Sequence, residues 1–161
     1  MVERKSETVA SPLEVLARMD QLIALSLVGQ HTLAERLGVN VTDLTCLGFI
    51  LGAGEEALTA GRLAELAGLT TGAVTGVVNR LENAGYARRV PDPHDRRRVR
   101  IVPEGDTAAR IAVAYEPTYR RLTELFESYG PDELAAISDW FTRAADAMRI
   151  SLAEIRESPA P

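Results

Sequence analysis

RLAELAGLTTGAVTGVVNRLENAGYARRVPDPHDRRRVRIVP, residues 62 to 103, changes its hydrophobic rhythm partway along, and that change decides the fold. Its first part has apolar residues at three-four spacing and reads as two short helices joined tightly at Gly68. The second runs from about 71 to 84, and Gly85 stops it. Residues 86–90 and 99–102 then read as two strands. PDPHDRRR between them carries turn residues and no apolar content, so the pair is expected to form a hairpin with a long, charged loop.

A helix-turn-helix needs a small residue where two helices cross, a turn residue able to adopt positive φ, and apolar anchors that hold the second helix on the first. Ala64, Gly68, Val74 and Val77 supply these; counted from Ala60 as position one they fall at five, nine, fifteen and eighteen, the spacing familiar from helix-turn-helix sequences. Leu63, Ala67, Leu69, Val78 and Leu81 complete the inner side. The second helix then keeps Thr71, Gly72, Thr75, Gly76, Asn79 and Arg80 outward, all small or polar. Threonine can contact a base through its hydroxyl or methyl, asparagine can engage adenine, and arginine can take guanine or a phosphate. Gly72 and Gly76 each cost the helix about 1 kcal/mol against alanine. Close approach of the backbone to DNA and close packing against another helix would each explain them.

The chain's charge of −5 is unlike that of a nucleic-acid binder, so its distribution matters more than its sum. Residues 59 to 103 reverse it. Arg62, Arg80, Arg88, Arg89, Arg96, Arg97, Arg98 and Arg100 stand against Glu65, Glu82, Asp92 and Asp95, a local charge of +4 that leaves −9 for the remainder. One basic surface on an acidic protein concentrates attraction for DNA there, although a solvated loop is the plainer account of a charge run taken alone. The hairpin strengthens the DNA reading, because a wing beside the second helix reaches an adjacent minor groove where arginine is favoured. Arg96, Arg97 and Arg98 sit at its tip, and Arg89 is placed to hold a phosphate or base. Asp95 either orients a neighbouring guanidinium through a bidentate pair or is a solvated turn carboxylate, while Asp92 with Pro93 shapes the turn.

Outward from this stretch the pattern is helical. Residues 12–37 carry Leu13, Leu16, Ile23, Leu27 and Leu37, with Pro12 in the first turn and Gly38 as the stop. Thr42 is the expected N-cap of a second, largely buried helix bearing Leu44, Leu47, Phe49, Ile50 and Leu51, closed by the turn at 52–55. Past Pro103 a helix is expected from about 104 to 128, bent or interrupted at Pro117. A final helix starts near Pro131, Asp132 and Glu133, and its Leu134, Ile137, Phe141, Ala144 and Met148 form the kind of seam that helices pack along. Trp140 is read as core or subunit interface. The fold class is therefore mainly α with a small antiparallel β wing.

Several function classes recede. No apolar run approaches the ~20 residues that span a bilayer, and the first residues lack an apolar signal core, so a cytoplasmic protein is expected. One cysteine and two distant histidines assemble neither a disulfide framework nor a conventional zinc site. Neither a nucleophile elbow nor a phosphate-cradling glycine loop is present, so neither an enzyme nor a cofactor is expected. Cys46, in an apolar helix with Asp43 as its nearest charge, reads as a buried thiol rather than a redox sensor.

Residues 62–103 resemble the signature stretch of MarR-family regulators, and the flanking helices are similar to that family's arrangement over nearly the whole chain. The continuation through GYARR into DPHDRRRV is the restrictive part. The resemblance implies a winged helix-turn-helix DNA-binding region at 40–103 with N- and C-terminal dimerisation helices at 12–37 and 104–156. It also implies a homodimer on a pseudo-palindromic double-stranded operator, repression as the expected sign, and a minor-groove role for Arg97, two residues after the motif aspartate. Many members of the family bind small aromatic or phenolic anions, which makes such an effector a candidate partner. Arg18, His31 and Asp43 are placed to approach a ligand cleft, but each reads more readily as a surface or satisfied polar residue, and none is taken as a site residue. Gly76 stands where the family often has a longer side chain, so no operator sequence is carried over. The rival reading is a winged-helix scaffolding module that does not bind DNA.

Overall fold

The computed structural model describes residues 11–54, 56–95 and 97–158. They divide into two compact units that meet in sequence between Ala114 and Tyr115. The first begins with α1 (Pro12–Leu37), whose N-terminus carries a reciprocal capping box: the Ser11 hydroxyl accepts from the Glu14 N–H, and the Ser11 N–H donates to the Glu14 carboxylate. Gly38, at φ 70°, ends it in the left-handed conformation that glycine adopts without a Cβ penalty. The N-cap of α2 (Val41–Gly52) is Asn40 rather than Thr42. Asn40 Oδ1 accepts from the Asp43 N–H at 2.8 Å, which starts the helix one residue before the expected cap.

α3 (Ala60–Ala67) and α4 (Thr71–Asn83) are the two helices joined at Gly68, which has φ 66°. Thr59 and Thr70 cap them, accepting from the Arg62 and Ala73 N–H groups. β2 (Ala87–Pro91) and β3 (Val99–Pro103) form the antiparallel hairpin, with Arg89 opposite Ile101. Sequence reading missed β1 (Leu58–Thr59), which pairs antiparallel with β3 and makes a three-stranded sheet of order β1-β3-β2. Two residues are too few to show a period of two. β1 matters because it ties the start of α3 to the wing strand.

The core of this unit gathers Cys46, Leu47, Ile50, Leu63, Ala64, Val74, Val77, Val78, Leu81, Tyr86, Ala87 and Ile101. Burial of a leucine such as Leu63 or Leu81 contributes about 1.5–3 kcal/mol. All four inward residues expected on α4 are in it. Tyr86 joins the winged helix-turn-helix to its neighbours in sequence: its hydroxyl donates to the Leu37 carbonyl at 2.9 Å, its carbonyl accepts from the Thr107 hydroxyl at 2.9 Å, and the Arg110 guanidinium lies 4.1 Å from its ring centroid.

α5 (Thr107–Phe126) contributes to both units and continues through Pro117 without interruption. The proline removes the bond to the Val113 carbonyl, but Val113 is itself exposed, so water can satisfy that oxygen. The second unit holds the rest of α5 and α6 (Pro131–Glu157), in which no described residue is buried within the single chain. Among the described residues no helix is long and apolar enough to cross a membrane.

Candidate nucleic-acid interface

Because Val74, Val77, Val78 and Leu81 turn inward, α4 displays Thr71, Gly72, Thr75, Asn79 and Arg80 to solvent, with Gly76 half-buried. The Thr75 hydroxyl donates to the Thr71 carbonyl at 3.1 Å, a back-bond that consumes its donor but leaves oxygen lone pairs and the methyl. Among the described residues of the single chain, neither glycine packs against another helix. A Cβ built at Gly72 meets nothing within 4 Å, and one at Gly76 meets only Arg80 Nη1, at 3.4 Å. The helix therefore presents a low surface that a groove wall can approach closely.

The arginines differ in their commitments. Arg80 reaches back to Asp43 on α2: its Nε lies 2.9 Å from Oδ2 and its Nη2 2.7 Å from Oδ1. Asp43 is almost fully buried, whereas the Arg80 side chain is half-exposed. Arg89 is tied to Glu82, whose carboxylate accepts from both the Arg89 backbone N–H and its guanidinium, linking the wing to α4. Arg88 pairs with Glu104 at 3.3 Å and Arg62 with Glu65 at 2.8 Å. Asp43 and Glu104 lie outside residues 59–103 yet compensate two of its cations. The charge that remains outward is thus concentrated at the wing tip.

There the side chain of Arg97 is 92% exposed, and Arg98 is exposed too; Arg96 lies outside the described residues. Asp95 holds Arg97, though not as a bidentate pair: one oxygen, Oδ1, accepts from the Arg97 backbone N–H at 3.0 Å and from Nε at 3.3 Å. Asp92 builds the loop. Its Oδ1 accepts from the His94 and Asp95 N–H groups, and its Oδ2 from Arg100 Nε at 2.7 Å. The Arg100 bond first, and the His94 N–H second, hold the Asp92 carboxyl at about 2, below its ordinary 3.8. A depressed carboxyl stabilises the fold above its unfolded pKa, and that contribution is lost as pH falls from about 4 through 2. The urea midpoint of the native chain should therefore exceed that of Asp92→Asn above pH 4, the gap closing on acidification. A gap independent of pH would show that Asp92 acts through shape alone.

Cys46 has no solvent exposure, and burial first and the Asp43 charge second push its thiol pKa up. Arg18 and His31 are exposed on α1, whereas Asp43 is the satisfied partner of Arg80. The terminal helices carry the opposite surface character to α4. Along α1 Leu13, Leu16, Ile23 and Leu27 are exposed, and on α6 Trp140, Phe141, Met148 and Ile155 are exposed.

Comparison with known proteins agrees with this geometry. The model of the MarR family matches residues 37–98. YcgE of Bacillus subtilis (strain 168), an uncharacterized HTH-type transcriptional regulator, is 39% identical over 124 residues, covering 77% of this chain and 79% of its own. A mutant of S. aureus MepR superposes with a TM-score of 0.70 at 15% identity, over 83% of this chain and 96% of that one. A second MepR mutant, bound to an oligodeoxyribonucleotide, gives 0.56 at 17% identity, over 86% and 99%. At these identities the two structures speak for the fold.

Proposed function

This chain belongs to the MarR family, and from that membership we propose that it is a sequence-specific double-stranded DNA-binding transcriptional regulator, a repressor acting as a homodimer on a pseudo-palindromic operator. The observation that carries the reading is the pairing of a low, polar outer face on α4 with a projecting Arg97, its side chain 92% exposed, on the adjacent wing. In this reading α4 is the recognition helix. Thr71, Thr75 and Asn79 approach base edges across the low backbone at Gly72 and Gly76, and Arg80 and Arg89 hold phosphates or bases. Arg97, positioned by Asp95 and flanked by Arg96 and Arg98, fills the minor groove. Two-fold symmetry then sets half-site centres about one helical turn apart, ~10 bp.

Helices at 12–37 and 104–156 join the two subunits, which accounts for apolar side chains exposed in the single chain. A small aromatic or phenolic anion releases the operator, as the family resemblance suggests, and the protein acts in the cytoplasm without turning over a substrate. The test is selection of bound sequences from genomic DNA at several salt concentrations. A regulator yields a recoverable preferred sequence and an affinity that falls steeply with salt; a scaffolding module yields neither. Thr75→Ala should change the recovered sequence more than the salt dependence, and a uniform loss over all sequences would give Thr75 a backbone role instead.

A further inference from the structure

The geometry points to Arg80 as a guanine-reading residue of α4, with Asp43 as the residue that positions it and Gly76 as the space it reads through. This rests on the DNA-binding reading and deepens it. Asp43 occupies the third position of α2 and is 1% exposed, with its two oxygens turned on one edge of the Arg80 guanidinium. Two near-parallel N–H···O bonds, from Nε and Nη2, fix the plane of the fork. A guanidinium has five N–H groups, so the pair with Asp43 leaves the two on Nη1 and the second on Nη2. Of these, one on Nη1 and the one left on Nη2 lie side by side at the end of the fork that faces away from Asp43.

The direction of that end follows from Gly76. Arg80 stands four residues after it, and a long helical side chain lies back over the preceding turn. Nη1 is accordingly 3.4 Å from the place a Gly76 Cβ would take. Gly76 is nearer than Arg80 to the middle of the outward face, as the inward positions Val74, Val77, Val78 and Leu81 define it. The free edge is thus carried from the flank of the helix toward its DNA-facing midline. A longer side chain at position 76 would occupy that space. Two donors on one rigid edge match the O6 and N7 acceptors of guanine, and a fork already held in plane by a buried carboxylate loses little freedom on binding.

Arg80→Lys is the informative variant, because alanine would strand the buried Asp43 carboxylate. An ammonium can keep the charge on Asp43 but offers no second edge. Sequence selection with Arg80→Lys should lose the preference for guanine at one position in each half-site, a discrimination of roughly tenfold or more. Melting temperature and the preferences elsewhere in the site should stay. Asp43→Asn should weaken the same preference at the same position and no other, which a merely structural residue would not do. A loss spread evenly over all sequences, with guanine no less preferred than in the unsubstituted chain, would make Arg80 a phosphate contact and overturn the inference. So would a selected sequence unaffected by Arg80→Lys while Arg97→Ala still weakens binding. If the unsubstituted chain selects no sequence at all, the DNA-binding reading falls, and this inference with it.

Discussion

Arg97→Ala is expected to weaken binding to the preferred DNA site by about 1–3 kcal/mol, close to one or two powers of ten, with helical content and oligomeric mass unchanged. The exposure of the side chain makes the two halves of that statement compatible. The Arg97 side chain is almost fully exposed, and among the described residues its carboxylate partner is Asp95, at 3.3 Å on the loop surface, a contact worth little in water. Removing it therefore costs the free protein almost nothing. In the proposed complex the same guanidinium enters a minor groove, where narrow walls intensify the negative potential. The loss should be largest on sites with A·T tracts beneath the wing. Fluorescence anisotropy at fixed salt measures it, and an affinity equal to that of the unsubstituted chain would remove the wing from the interface.

Arg89→Ala is a different experiment, because the Arg89 guanidinium is bound to Glu82 and its loss leaves only the backbone N–H to link the wing to that carboxylate on α4. That distinction was not legible in the sequence. A charge count sees eight arginines between 59 and 103 and cannot say which are compensated; pairing depends on tertiary contacts such as Asp43 with Arg80, 37 positions apart. What was legible came from local rules. The three-four spacing of Val74, Val77, Val78 and Leu81 placed one face of α4 in the core, and glycine marks the left-handed positions at 38, 68 and 85, where it carries no Cβ penalty. The cap at Asn40 is also written in the sequence, as an Asn-x-x-Asp box, but Thr42 lies nearer the apolar run and competes with it as a cap. β1 left no comparable mark, since its two residues pair only because β3 is beside them.

Glutamates at two positions of α1, Leu16→Glu with Leu27→Glu, are expected to give a monomer with its head intact. Leu13, Leu16, Ile23 and Leu27 recur at three-four spacing along α1 and are all exposed in the single chain, Leu13 at 77%. Soluble monomers seldom leave a stripe of that length in water, and burying it in a subunit interface recovers about 25 cal/mol per Å2. A carboxylate in such an interface must be desolvated without a partner, which outweighs the gain. Because neither leucine belongs to the core around Leu47 and Val77, substitution should leave the melting of that core nearly unchanged. Sedimentation equilibrium should then show half the native mass. DNA affinity should fall about 10²–10⁴-fold, since two heads on one body bind their half-sites at high effective concentration and separate heads do not. The salt dependence of what binding remains should be roughly halved, because each head keeps its own phosphate contacts. Retention of native mass by the doubly substituted chain would place the subunit contact elsewhere. A halved mass with native affinity would mean that one head suffices, and that the operator need not be two-fold symmetric.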